Sequence, residues 1–252
     1  MRILFLILII LTNVISAREI GETEIITEEG IEVFQKEKYY LLKKNVKITS
    51  DNFLLSGDQI KIFFENDMYD IKKIDALGDV KLESKNYEIN ASGEKLMFYI
   101  ESEEIYIIGK NSFLLTKDTN MISNGEISVN NLNGNFFIKG PNSKLINEDI
   151  SIEGEFIEGS FHIINNERSL NFLNVSDQDI SFVKTDTTEL YAKNIKYSKE
   201  KSLIELQNDV KIIRDGEKIT GDYGTLDTNT NSYKVRSNNS NKVKVIITNK
   251  NE

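Results

Sequence analysis

The sequence predicts an all-β chain, an antiparallel sheet folded over on itself. Three observations lead there. Apolar residues recur at every second position, a phrase of small residue, glycine and acid returns roughly every 33 residues, and the apolar phase changes at that phrase.

The phrase is clearest as "LLSGDQIKIFF" (54–64) and "NASGEKLMFYI" (90–100). Fainter copies are "ISNGEISVNNL" (122–132), "IEGEFIEGSF" (152–161) and "KITGDYGTL" (218–226). Markers at Gly57, Gly93, Gly125, Gly154, Ala192 and Gly221 lie 36, 32, 29, 38 and 29 residues apart. A period of this size indicates one supersecondary unit stacked on itself, with loops of varying length.

Within the units the apolar series runs Phe53, Leu55, then Ile60, Ile62, Phe64. It continues as Val80, Leu82, then Tyr87, Ile89, Ala91, then Leu96, Phe98, Ile100, and closes with Val210, Ile212, Ile219, Gly221, Tyr223. Period two places these side chains on one strand face and the intervening polar residues on the other. β-branched and aromatic residues suit a half-buried pleated surface. Across Ser56-Gly57-Asp58, and again across Ser92-Gly93-Glu94, the inward parity switches from odd to even. One inserted residue does this, so a bulge that turns a corner is expected, with glycine tolerating the dihedrals it needs. Polar turns at 49–52, 83–86, 116–120, 146–149 and 213–217 connect more than twenty short strands. No Pro-rich or Gly/Ser-rich linker divides the chain, which predicts one domain over 18–252. Its most irregular stretch, 165–190, is the candidate subdivision.

The N-terminus "MRILFLILIILTNVISA" has one positive charge, an apolar run over 3–11, a polar break and a close on Ser16-Ala17. This is the layout of a cleavable secretory signal peptide, residues 1–17. The run is too short for a bilayer span of about 20 residues. Of the charged residues, cleavage removes Arg2 alone, taking the net charge from −9 to −10. That charge, with no basic stripe, argues against nucleic acid as a partner. Cysteine is absent and His162 is the single histidine, so neither a thiolate metal site nor a catalytic triad is indicated. The acids fall at turns and outward positions, and no glycine-rich run opens a helix. No catalytic residue, metal or cofactor is expected.

The segments "KKNVKITSDNFLLSGDQIKIFFENDMYDIKKIDALGDVKLESKNYEINASGEKLMFYIE" (43–101) and "LQNDVKIIRDGEKITGDYGTLDTNTNSYKV" (206–235) resemble the OstA-like family, the LptA-type periplasmic proteins of lipopolysaccharide transport. The middle, 110–190, matches only loosely. The resemblance implies an elongated β-jelly roll, an open trough whose apolar interior shelters lipopolysaccharide acyl chains. It also implies periplasmic location and docking by edge strands to similar jelly rolls of the inner-membrane transporter and outer-membrane translocon, with head-to-tail self-association.

On that basis Ile48, Phe53, Leu55, Ile60, Ile62, Phe64, Leu82, Ile89, Leu96, Phe98 and Ile100 are expected to line one wall of a lipid-binding groove. Val129, Ile152, Phe156, Ile212, Ile219 and Tyr223 extend it. "TEIITEEGIEVFQ" (23–35) and "KVKVIITNK" (242–250) are the candidate terminal strands. Two alternatives stand beside this reading. If residues 1–17 are retained, the chain is a membrane-anchored LptC-like component of the same pathway. A secreted structural or adhesive β-repeat protein would show the same alternation around a filled core. An enzyme on a parallel β-helix is a more distant third.

Overall fold

The computed structural model describes residues 21–66, 70–85, 88–147, 150–164, 167–238 and 242–248; the expected signal peptide lies outside them. Among the described residues all twenty regular elements are strands. They are β1 (Glu24–Ile26), β2 (Ile31–Phe34), β3 (Tyr39–Thr49), β4 (Leu54–Phe64), β5 (Ile71–Ser84), β6 (Ile89–Tyr99) and β7 (Glu104–Ile108). There follow β8 (Ser112–Leu115), β9 (Thr119–Ser123), β10 (Glu126–Asn130), β11 (Asn135–Lys139), β12 (Lys144–Asn147) and β13 (Ile150–Glu153). The chain ends with β14 (Phe156–Ile164), β15 (Glu167–Lys184), β16 (Thr188–Ser198), β17 (Leu203–Arg214), β18 (Glu217–Asp227), β19 (Tyr233–Arg236) and β20 (Lys244–Ile247).

All pairings are antiparallel and belong to one sheet. That sheet is creased along its length. Each long strand pairs with its neighbour on both sides of a register shift, at Lys43/Val46 in β3, Leu77/Val80 in β5 and Gln207/Val210 in β17. One leaf runs β1, then the crease-flanking halves of β3 to β6 (46–49, 54–57, 80–84, 89–93), then β8, β9, β12, β13, the matching halves of β15 to β18, and β20. The other leaf runs β2, the remaining halves of β3 to β6, then β7, β10, β11, β14, the remaining halves of β15 to β18, and β19. In the centre the chain breaks at the crease, so β7/β8, β9/β10, β11/β12 and β13/β14 replace single bent strands. This explains why the outer thirds match the repeat phrase well and the middle only loosely. Among the described residues the strands number twenty, many of them long, where more than twenty short ones were expected. Fourteen rungs at about 4.8 Å give a stack roughly 60 Å long.

One apolar cluster lies between the leaves. Leu42, Ile60, Ala76, Val80, Ile107, Ile127, Ile138, Leu145, Ile152 and Leu190 are fully buried. Over most of the stretch 165–190 runs β15, which pairs with β14 and β16. Its irregularity is a larger bulge, with Asp177 to Ile180 passed over between Ser176 and Ser181.

Candidate functional site

The repeated phrase builds the crease. The marker glycines Gly57, Gly93, Gly125, Gly154 and Gly221 do not adopt positive φ, contrary to the expectation that glycine was needed for its dihedrals. At Gly93, Gly125, Gly154 and Gly221 glycine is needed for close approach, while Gly57 is less crowded. A Cβ on Gly93 would lie 2.8 Å from Ile107 Cγ2 and 3.1 Å from the Ile108 carbonyl oxygen. On Gly221 it would lie 2.7 Å from the Arg236 carbonyl oxygen. The left-handed residues sit instead on the neighbouring strands of opposite direction: Lys44-Asn45 in β3, Gly78-Asp79 in β5 and Asn208-Asp209 in β17. Asn, Asp and Gly are the residues that tolerate that region best.

The acid after the glycine has a role too. Glu94 Oε1 accepts the Lys110 backbone N–H at 3.2 Å, and Asp222 Oδ2 accepts that of Asn238 at 2.7 Å. Each carboxylate ties its own bend to the next. Where strands break at the crease, buried serines replace these ties. Ser123 Oγ donates to the Lys139 carbonyl at 2.8 Å and lies 3.1 Å from Ser143 Oγ, which donates to the Gly140 carbonyl at 2.7 Å.

The leaves are joined along the crease and end freely on the opposite side, at a lip. Of the predicted lining residues, Ile48, Leu55, Ile60, Ile62, Phe64, Leu96, Val129, Ile152, Ile212 and Ile219 are buried. Phe53, Leu82, Ile89 and Phe98 are half-buried and packed on the core from the lip side. Ile100 is half-buried in the turn after β6.

Two predicted lining residues lie on the other face. Phe156 alternates with the fully buried Ile157, and Tyr223 alternates with the buried Gly224 and Leu226. Both follow the crease acid directly, at Glu155 and Asp222. The phase change that applies at Asp58 and Glu94 therefore turns them outward.

The reading of the sequence missed Tyr40, Ile74 and Ile105, half-buried lip residues facing inward from the second leaf. Their signal was parity kept across the left-handed pairs: Tyr40, Leu42, Val46, Ile48 in β3, and Ile74, Ala76, Val80, Leu82 in β5. Between β3 and β7 the lip thus shows apolar side chains from both leaves, on strands flanked by neighbours rather than at a sheet edge.

The outer face of the second leaf is different in kind. Phe34 stacks on Tyr39 at 4.6 Å and Tyr39 meets Phe63 at 5.7 Å. The Lys73 ammonium, held 2.9 Å from Asp75, lies 5.4 Å from the Phe63 ring and 5.0 Å from the Tyr99 ring. These rings cover one another across strands, a stabilising ladder of ordinary kind.

The phenols of Tyr106, Tyr191 and Tyr197 titrate above their ordinary value chiefly because burial disfavours the phenolate. That of Tyr233 is raised first by the hydrogen bond it donates to Glu217 at 2.7 Å. Among the described residues no group of three or more His, Cys, Asp or Glu is placed to hold a metal ion. His162 is exposed on β14.

Residues 26–135 match the family described as LptA/(LptD N-terminal domain) LPS transport protein. No curated protein matches the sequence. Among solved structures, one match is the crystal structure of LptH from Pseudomonas aeruginosa, described as the LptA-homologous periplasmic component of the lipopolysaccharide transport device. Identity is 10%, the match covers 90% of this chain and 96% of that one, and the TM-score is 0.23.

Proposed function

We propose that the chain, whose residues 26–135 match the LptA/(LptD N-terminal domain) family of lipopolysaccharide transport proteins, is a periplasmic, non-enzymatic carrier sheltering acyl chains between its leaves. One observation carries this reading. Tyr40, Ile74, Phe98 and Ile105 on one leaf, and Phe53, Leu82 and Ile89 on the other, leave apolar surface partly exposed along the lip. A filled structural sandwich would hide such residues.

Burying a hydrocarbon chain there gains about 0.8 kcal/mol per CH₂. A tail of a dozen carbons then contributes on the order of 10 kcal/mol before ordering costs. Phosphorylated head groups stay outside, since the chain's net charge of −9 repels them within a Debye length of about 8 Å.

The ends of the stack support docking to other jelly rolls. β1 and β2 expose Ile25, Ile26, Ile31 and Val33 beside Glu24, Glu28 and Glu32. Around β20, Val243, Val245, Ile246 and Ile247 are exposed beside Lys242 and Lys244, with Lys234 and Arg236 on β19. Unpaired edges of opposite charge suit strand addition to the transporter at one end, the translocon at the other, or a second copy of this chain.

A photo-crosslinking residue at Phe98 or Ile62 tests the reading in cells that make lipopolysaccharide. Capture at these positions and none at the outward Lys61 or Tyr99 is the expected result. Equal capture on both faces, or none on either, returns the protein to the structural class.

A further inference from the structure

The lip is not uniform. Through β9 to β14 most positions corresponding to the partly exposed lip of β3 to β7 are shut, Ile150 on β13 being the half-buried exception among the described residues. Val129, Phe136 and Phe161 on one leaf, and Thr119, Met121 and Asn147 on the other, are each 8% exposed or less. Phe136 and Phe161 stack at 4.8 Å with planes 29° apart. Gly159 makes room for this pair, since a Cβ there would lie 2.7 Å from Phe136 Cζ. Opposite them Asn147 Nδ2 donates to the Asp118 carbonyl at 2.8 Å and to Thr119 Oγ1 at 3.0 Å, pinning two lip turns together.

We infer that β9 to β14 form a wall that closes the trough midway, confining hydrocarbon to the compartment of β3 to β7. Passage along the remaining length then requires the Phe136–Phe161 pair to move. This rests on the acyl-sheltering reading and adds to it where the chain sits and what stops it. Five rungs at about 4.8 Å make the compartment roughly 20 Å long. The wall also coincides with the broken strands at the crease, where the leaves are joined by loops and serine hydroxyls and lack continuous bent strands.

The test uses the full chain and a diazirine-bearing palmitate, with the labelled peptides mapped after photolysis. Label within residues 40–105, with at least tenfold less in 119–161, is the expected map. Phe136→Ala or Phe161→Leu should raise labelling in 119–161 about fivefold or more. Even labelling through 119–161 in the unaltered protein overturns the wall while leaving the acyl-sheltering reading intact, and needs no variant to fold. No label anywhere removes the hydrocarbon site itself and the wall with it.

Discussion

Replacing Gly93 by Ala tests whether the marker glycine serves close approach. The new Cβ would meet Ile107 Cγ2 at 2.8 Å, Ser112 Oγ at 3.0 Å and the Ile108 carbonyl at 3.1 Å. Carbon atoms rest at about 3.5–4.0 Å, so β7 and the following bend must retreat by more than half an ångström. Overpacking of this kind costs about 1–3 kcal/mol. Alanine also restricts the unfolded chain, which returns about 0.4–1 kcal/mol. A net loss of about 1–2 kcal/mol follows.

Gly57→Ala is the matched control. It occupies the same place in the phrase, but its nearest neighbour is the Leu77 carbonyl oxygen at 3.2 Å, where shifts of a few tenths suffice. Its expected change is within about 0.5 kcal/mol of zero. Urea unfolding followed by circular dichroism measures both, with an unchanged slope required for the comparison. If Gly57→Ala costs as much as Gly93→Ala, the close-approach account of the marker is wrong.

Asp222→Ala removes the acceptor for the Asn238 amide, and faster hydrogen exchange at Asn238 with a loss of about 1 kcal/mol is expected. Asn147→Ala leaves the Asp118 carbonyl and Thr119 hydroxyl without their donor in a buried lip and should cost about 1–3 kcal/mol by urea midpoint. The phenols of Tyr106, Tyr191, Tyr197 and Tyr233 are raised in the folded state. Folding therefore retains protons that the unfolded chain releases, so their contribution is complete below about pH 10 and is lost as pH rises beyond it. A urea midpoint that stays level between about pH 9 and pH 11 would contradict this. Added salt should weaken end-to-end association, read by light scattering, while leaving acyl-chain capture little changed.

Much of the fold was legible because a crease leaves a parity mark. Leu55 and Ile60 straddle Asp58, and Ala91 and Leu96 straddle Glu94, with no ambiguity about which residues face in. The same rule, inward again three residues after the marker, places Ile157 after Gly154, Ile195 after Ala192 and Gly224 after Gly221. Phe156 and Tyr223 drew attention because they are large and aromatic. In β18 the inward place goes to a residue with no side chain, since a Cβ on Gly224 would crowd Val210 and Leu206 at 3.0 and 3.2 Å. The lip residues on β3 and β5 were harder to read. These strands keep parity through two left-handed residues, which leaves no break in the alternation. The closed stretch was illegible, because whether the two leaves meet depends on pairs such as Phe136 and Phe161 that lie 25 residues apart in sequence.

Alternate strands cross the crease in opposite senses, one toward the first leaf and the next away from it. Growth or shrinkage by a single crossing would leave everything downstream entering from the wrong side, with its inward and outward residues exchanged. Length in this architecture therefore changes in pairs of crossings, and the spacing of about 33 residues between markers is the smallest increment a viable duplication or deletion can take.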